Sequence, residues 1–121
     1  MTYLFLLGRA LFGGFFIVNA WSHFTKVAMM KGWVSSKGVP APALAIVVTG
    51  IMLLAGGLSI LFWQYLTIGV WLLVIFLAVA AVKFHDFWSV TDQQQKMMHM
   101  MLFMRNIALI GALFIVLGLS F

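Results

Sequence analysis

Long apolar runs, separated by short polar stretches, organise this chain. The first runs from about Tyr3 to Ala20 and is interrupted only by Arg9. Residues Gly38 to Val82 then carry no charged side chain at all. An α-helix rises about 1.5 Å per residue, so about 20 apolar residues cross the hydrocarbon of a bilayer. The uncharged stretch is too long for one crossing and suits two. Its natural break is Trp63-Gln64-Tyr65-Leu66-Thr67, where two amphipathic rings that favour the headgroup level flank a polar residue. Pro40 and Pro42 mark the start of the second span, where a missing N–H costs little. A last apolar run follows Thr91-Asp92-Gln93-Gln94-Gln95, in which Asp92 with Gln95 three residues on has the form of a capping box. The pattern predicts spans near residues 3–20, 41–62, 65–83 and 98–120. The expected fold is an all-α membrane protein, a four-transmembrane-helix bundle forming one domain over residues 1–121. Val18-Asn19-Ala20 loosely resembles a signal-peptide cleavage site, but Arg9 lies inside the apolar run and not before it, so the first span is read as retained.

Composition agrees with the pattern. Of 121 residues, 65% are hydrophobic and 7% charged, where a soluble domain carries about 25% charged residues. So few charges cannot coat a water-facing surface, whereas hydrocarbon accepts this composition. The lipid bilayer is therefore the first expected partner. The absence of cysteine excludes disulfides, Cys-ligated zinc and iron–sulfur clusters within the chain.

The net charge of +5 arises because only Asp86 and Asp92 oppose the Lys and Arg residues. Cations beside membrane spans set topology and meet anionic headgroups, and no basic patch is interleaved with polar surface, so nucleic acid is not an expected partner. Lys26, Lys31 and Lys37 lie in loop one, Lys83 and Lys96 border loop three, and loop two has no charge. The positive-inside rule places loops one and three in the cytoplasm and both termini outside.

Lipid provides no hydrophobic drive for helix association, so close packing through small residues must supply it. Ala10 with Gly14, Ala55 with Ser59, and Ala108 with Ala112 lie four apart; Gly50 with Gly57, and Gly111 with Gly118, lie seven apart. These faces suit helix packing, including self-association into a homo-oligomer.

Ionisable groups inside a membrane are costly unless paired or hydrated, which makes each a candidate for function. Arg9 and His23 share one stripe with positions 13, 16 and 20, and Gly13 is expected to leave room for the Arg9 side chain. Asn19 and His23 end the first span. Lys83, His85, Asp86 and Trp88 end the third. His99, Arg105 and Asn106 begin the fourth, with His99 and Asn106 seven apart on one face. Asp86 is expected to partner Arg105, Lys83 or a histidine, either as a structural clasp or as part of a polar rim that receives an amphipathic head group. Haem is disfavoured because spacing alone fixes no histidine pair. The run Met97-Met98-His99-Met100-Met101 holds donors suited to copper(I), but consecutive methionines on a helix point in different directions, so it reads as packing. There is no paired carboxylate, nucleophile–base pair, phosphate-cradling Gly loop or HExxH motif, so no catalytic or metal residue is assigned.

Several segments in order resemble the DoxX family of small membrane proteins. They are Gly8-Arg9 with Phe12-Gly13-Gly14; Ser36-Lys37-Gly38-Val39-Pro40-Ala41-Pro42; Gly50 followed by Leu54-Ala55-Gly56-Gly57-Leu58-Ser59; His85-Asp86-Phe87-Trp88 with Asp92; and Asn106-Ile107-Ala108-Leu109-Ile110-Gly111. The resemblance implies a four-helix inner-membrane protein associated with quinone-linked or oxidative-stress complexes. One departure is Gly50-Ile51-Met52-Leu53-Leu54, near which many relatives carry a Glu. The resulting expectation is an accessory or ligand-binding subunit of a quinone-linked redox system, with other membrane or redox subunits as partners and no catalysis of its own. Quinone is the expected ligand and no cofactor is assigned. The candidate ligand-binding residues are Arg9, Asn19, His23, His85, Asp86, Trp88, Arg105 and Asn106. An assembly or scaffold subunit is the alternative. A small transporter is a further one, although four-helix exporters rely on an acid in span one, where this chain has Arg9.

Overall fold

A computed structural model describes residues 2–120, and these contain only helices and turns. The helices are α1 (Thr2–Thr25), α2 (Val27–Ser36), α3 (Pro42–Phe62), α4 (Leu66–Phe84) and α5 (Gln93–Leu119), with a 3₁₀ turn at Phe87–Ser89. Four of them, α1, α3, α4 and α5, are long and apolar enough to cross a membrane. The fold class is that of an all-α four-helix membrane bundle, and the chain is a multi-pass membrane protein. It divides into two compact units, one reaching to Leu73 and one starting at Val74.

In the first unit, α1 packs antiparallel on α3. The buried residues of α1 are Gly13, Phe16 and Ala20, the stripe expected from the spacing. On α3 the facing stripe is Ile46, Gly50, Leu53, Gly57 and Ile60. Glycine is required where the helices cross. A Cβ on Gly13 would lie 2.8 Å from the Gly57 carbonyl oxygen and 3.0 Å from the Leu61 nitrogen, both backbone atoms. Gly13 thus makes room for the α3 backbone and not for the Arg9 side chain. A second buried side of α3, Gly56 and Ser59, meets the first half of α4, where Leu73 packs over Gly56 and Ser59 fits against Gly69. Leu66, Val70 and Leu73 are the buried positions there, at helical spacing.

Helix α2 lies in what the charge pattern reads as loop one. Val34 is buried and Val27 and Met30 are half-buried, so one short face packs on α3, while Lys26, Met29, Lys31 and Trp33 stay exposed. Ten residues are too few to give a hydropathy signal of their own. The chain leaves α2 through Gly38, whose φ of 79° suits a residue without a Cβ. Pro42 then sits in the first turn of α3. The break between α3 and α4 falls where the rings suggested: Trp63 and Tyr65 adopt left-handed φ of 57° and 55°, and the Gln64 N–H closes on the Ser59 carbonyl.

In the second unit, α5 begins with Asp92 as N-cap, its carboxylate accepting from the Gln95 N–H at 3.2 Å. At 27 residues α5 is about 40 Å long, beyond the roughly 30 Å of hydrocarbon, and its polar first turn accounts for part of the excess. Asn106 and Leu113 are its buried residues. The small positions Gly14, Gly111 and Gly118 stay open, since a Cβ on any of them would meet nothing within 4 Å.

Candidate functional site

Each ionisable side chain in a span needs a polar partner, and the structure supplies these largely from backbone carbonyls. In the first unit, Arg9 Nη2 donates to the Leu61 carbonyl at 2.8 Å. That carbonyl belongs to the last turn of α3, where unpaired oxygens carry the negative end of the helix dipole. The guanidinium also lies 5.3 Å from the Phe5 ring centre and 5.8 Å from that of Trp63. These two rings meet edge to face at 4.7 Å. Arg9 Nε is buried without a hydrogen-bond partner. The arrangement ties the start of α1 to the end of α3.

At the other end of α3, His23 Nδ1 lies 3.2 Å from the Ile46 carbonyl and 3.1 Å from Thr49 Oγ1. The Thr49 hydroxyl is within 2.8 Å of the Ala45 carbonyl, so Thr49 can accept from His23 Nδ1–H while donating to its own helix. Asn19 Nδ2 donates to the Phe15 carbonyl of its own helix at 2.7 Å. Leu61 and Ile46 are fifteen residues apart on α3, about 22 Å of helix, so Arg9 and His23 serve opposite ends of one seam.

The second unit gathers the remaining candidates where α4 ends and α5 begins. His85 is buried and its Nδ1 lies 3.4 Å from Nδ1 of His99, with ring centres 5.6 Å apart. Beside this imidazole pair stand three aromatic rings. Phe87 meets Trp88 at 5.3 Å and Phe103 at 5.6 Å, and Trp88 meets Phe103 at 5.8 Å, all edge to face. Such mutual edge-to-face packing fixes the 3₁₀ turn against α5. The turn is closed by Ser89, whose hydroxyl donates to the Asp86 carboxylate at 2.6 Å. Trp88 remains 55% exposed, which leaves ring surface available to a ligand or to lipid headgroups.

One helical turn further along α5, Asn106 is 1% exposed and its Nδ2 donates to the Leu77 carbonyl of α4 at 3.3 Å. Its Oδ1 accepts from Arg105 Nη2 at 3.4 Å, and Arg105 itself is exposed. Asn106 therefore ties α5 to α4, while Arg105 keeps donors available.

His85, Asp86, Trp88, Arg105 and Asn106 thus lie in the second unit, with Asn106 bonded to Leu77, eight residues before His85, while Arg9, Asn19 and His23 are used within the first. The sequence places His99 on one face with Asn106 but does not count it among the candidate ligand-binding residues, and it does not single out Phe103 or Thr49. The spacing of His99, Phe103 and Asn106, at i, i+4 and i+7, was the available signal for the first two. Thr49 has no local motif and is found only through its contact with His23. Among the described residues no group of three or more His, Cys, Asp or Glu side chains is placed to hold a metal ion. The first unit also has an open groove of about 480 Å³, lined by residues including Ala55, Leu58, Phe62, Tyr65, Ile68 and Leu72. It is apolar, as suits a surface wetted by lipid chains.

No curated protein and no solved structure matches the chain. The DoxX family model matches residues 4–86, from the first span to Asp86, so the Asn106–Gly111 segment of the family resemblance lies outside the matched range. That range is more than half of the chain, and the protein belongs to the DoxX family.

Proposed function

We propose that the protein is a non-catalytic, ligand-binding subunit of a quinone-linked redox system in the inner membrane. In this reading the second unit receives a quinone-like head group where α4 ends and α5 begins. The observation that carries it is the imidazole pair of His85 and His99 beside the Phe87–Trp88–Phe103 aromatic group. A quinone ring is flat and apolar with an acceptor oxygen at each end. Exposed Trp88 supplies a ring surface, exposed Arg105 supplies charged donors, and an imidazole N–H supplies a neutral one. In this reading the end of α4 faces the cytoplasm and both termini lie outside, which the lysines of loops one and three support.

Titration of the purified protein with a short-chain benzoquinone tests the reading. Saturable binding that weakens at least tenfold in Arg105→Ala and in Trp88→Ala is expected. Binding indifferent to both substitutions removes the site.

A second reading, that of an assembly subunit whose polar groups only lock helices, is favoured by one observation. Arg9, His23 and Asn106 all reach backbone carbonyls of a neighbouring helix. It predicts no quinone binding, and activity only through co-purifying membrane or redox partners.

A further inference from the structure

The histidine pair has a geometry that quinone binding does not require. The ring centres of His85 and His99 are only 2.2 Å farther apart than their Nδ1 atoms. That difference is close to twice the reach from an imidazole centre to its own nitrogen, so both Nδ1 atoms lie near the line joining the rings. When both Nδ1 atoms give up their protons, their lone pairs oppose each other along one line, the donor set of a linear, two-coordinate ion. The 3.4 Å separation is that of a long hydrogen bond between the two rings. It falls short of the roughly 3.8 Å that two copper(I)–imidazole bonds span in line. A retreat of about 0.2 Å by each ring closes that gap, and His99 is only half-buried.

We infer that His85 and His99 form a binding site for a soft monovalent cation of the copper(I) class. Three features select that class. The donors oppose each other, whereas a tetrahedral ion wants them converging at an angle. The site has two imidazoles and no third His, Cys, Asp or Glu among the described residues, too few for a structural zinc centre. The turn of α5 that carries His99 also bears exposed thioethers: Met98 and Met100 are its sequence neighbours, and Met97, Met101 and Met104 lie on faces of the helix turned away from it. Thioether and imidazole are the neutral side-chain donors that favour copper(I), and exposed methionines on the other faces of this turn suit capture of the ion without ligating it at the pair. A monovalent ion also brings less charge to the membrane boundary than a divalent one. The inference is independent of quinone binding, and its test contains no quinone.

Full-length protein in detergent, kept anaerobic with ascorbate, is titrated with copper(I) against a colorimetric copper(I) chelator. The expected result is one equivalent per chain, weakened at least tenfold in His99→Ala and in His85→Ala, with X-ray absorption reporting two nitrogen neighbours. Buried His85 is the riskier substitution, so His99→Gln, checked by circular dichroism for intact helices, gives the same comparison on a half-buried position. Protection of His85 and His99 from diethyl pyrocarbonate by copper(I), read by mass spectrometry on the unaltered chain, provides a measure free of substitutions. Failure to compete with the chelator overturns the inference. So does binding that survives loss of either imidazole but disappears in Met98→Leu with Met100→Leu, and so does cobalt(II) binding at the pair in preference to copper(I).

Discussion

Replacing Gly13 by alanine introduces a single methyl group at the tightest crossing in the first unit. Its carbon would lie 2.8 Å from the Gly57 carbonyl oxygen, 3.0 Å from the Leu61 nitrogen and 3.3 Å from Leu61 Cβ, where ordinary contact begins at 3.4 Å. Two of these neighbours are backbone atoms of a helix, so no side chain can swing aside. Relief requires α1 and α3 to part by about 0.5 Å, and a gap of that size forfeits about a quarter of the attraction between facing atoms. Phe16 and Ala20 on α1, with Ile46, Leu53 and Ile60 on α3, are the buried residues that lose contact. Overpacking of this kind costs about 1–3 kcal/mol. Without a hydrophobic drive between helices in lipid, little else along the seam compensates. Gly14→Ala is the internal control, because a Cβ there meets nothing within 4 Å. It is expected to stay within about 0.5 kcal/mol of the parent protein. Unfolding by sodium dodecyl sulfate in mixed micelles, followed by circular dichroism, measures both variants. The reasoning is refuted if Gly13→Ala matches the parent protein, or if Gly14→Ala is equally destabilised. Gly57→Ala presses on the same crossing, so combining it with Gly13→Ala is expected to cost less than the sum of the two.

Three further outcomes are expected. Arg9→Met removes the charged donor from the Leu61 carbonyl and the contacts with Phe5 and Trp63; it is expected to destabilise by about 1.5–3 kcal/mol in the same unfolding assay, with Arg9→Lys recovering part of the loss. Asn106→Leu leaves the Leu77 carbonyl without its partner, and interhelical hydrogen bonds in membranes are worth about 0.6 kcal/mol and up to about 1.7, so a loss in that range is expected. Asp92→Ala removes the N-cap of α5, about 1 kcal/mol locally; hydrogen exchange is expected to quicken at the first turn of α5 and to remain unchanged in α3.

Much of the fold is legible in the sequence because the bilayer imposes few alternatives. The aromatic break at Trp63 and Tyr65, Pro42 in the first turn of α3 and the Asp92 cap are local signals, and each appears where the pattern puts it, whereas α1 runs five residues past Ala20 and α5 begins five residues before position 98. The stripe of Arg9, Gly13, Phe16, Ala20 and His23 correctly marks the face of α1 that meets α3. What that face meets is not a local property. The sequence does not say that Gly13 pairs with Gly57, or that Arg9 reaches the last turn of α3, because both depend on the register between two helices. Helix α2 escapes notice because ten residues that hold Lys31 and are bounded by Lys26 and Lys37 resemble a cationic loop as closely as a surface helix. At the candidate site, the facing of His99 and Asn106 is readable at seven-residue spacing. The approach of His85 to His99 is not, because it depends on the path of the 3₁₀ turn between α4 and α5.

Photoaffinity labelling addresses the head-group site most directly. The full-length protein in lipid nanodiscs is irradiated with a benzoquinone carrying a photoreactive group on its ring, with and without excess unlabelled quinone. The labelled peptides are then mapped by mass spectrometry. The proposed site predicts adducts confined to residues 85–106 and abolished by competition. Adducts concentrated in the apolar groove at residues 55–72, or labelling that competition does not reduce, would contradict it.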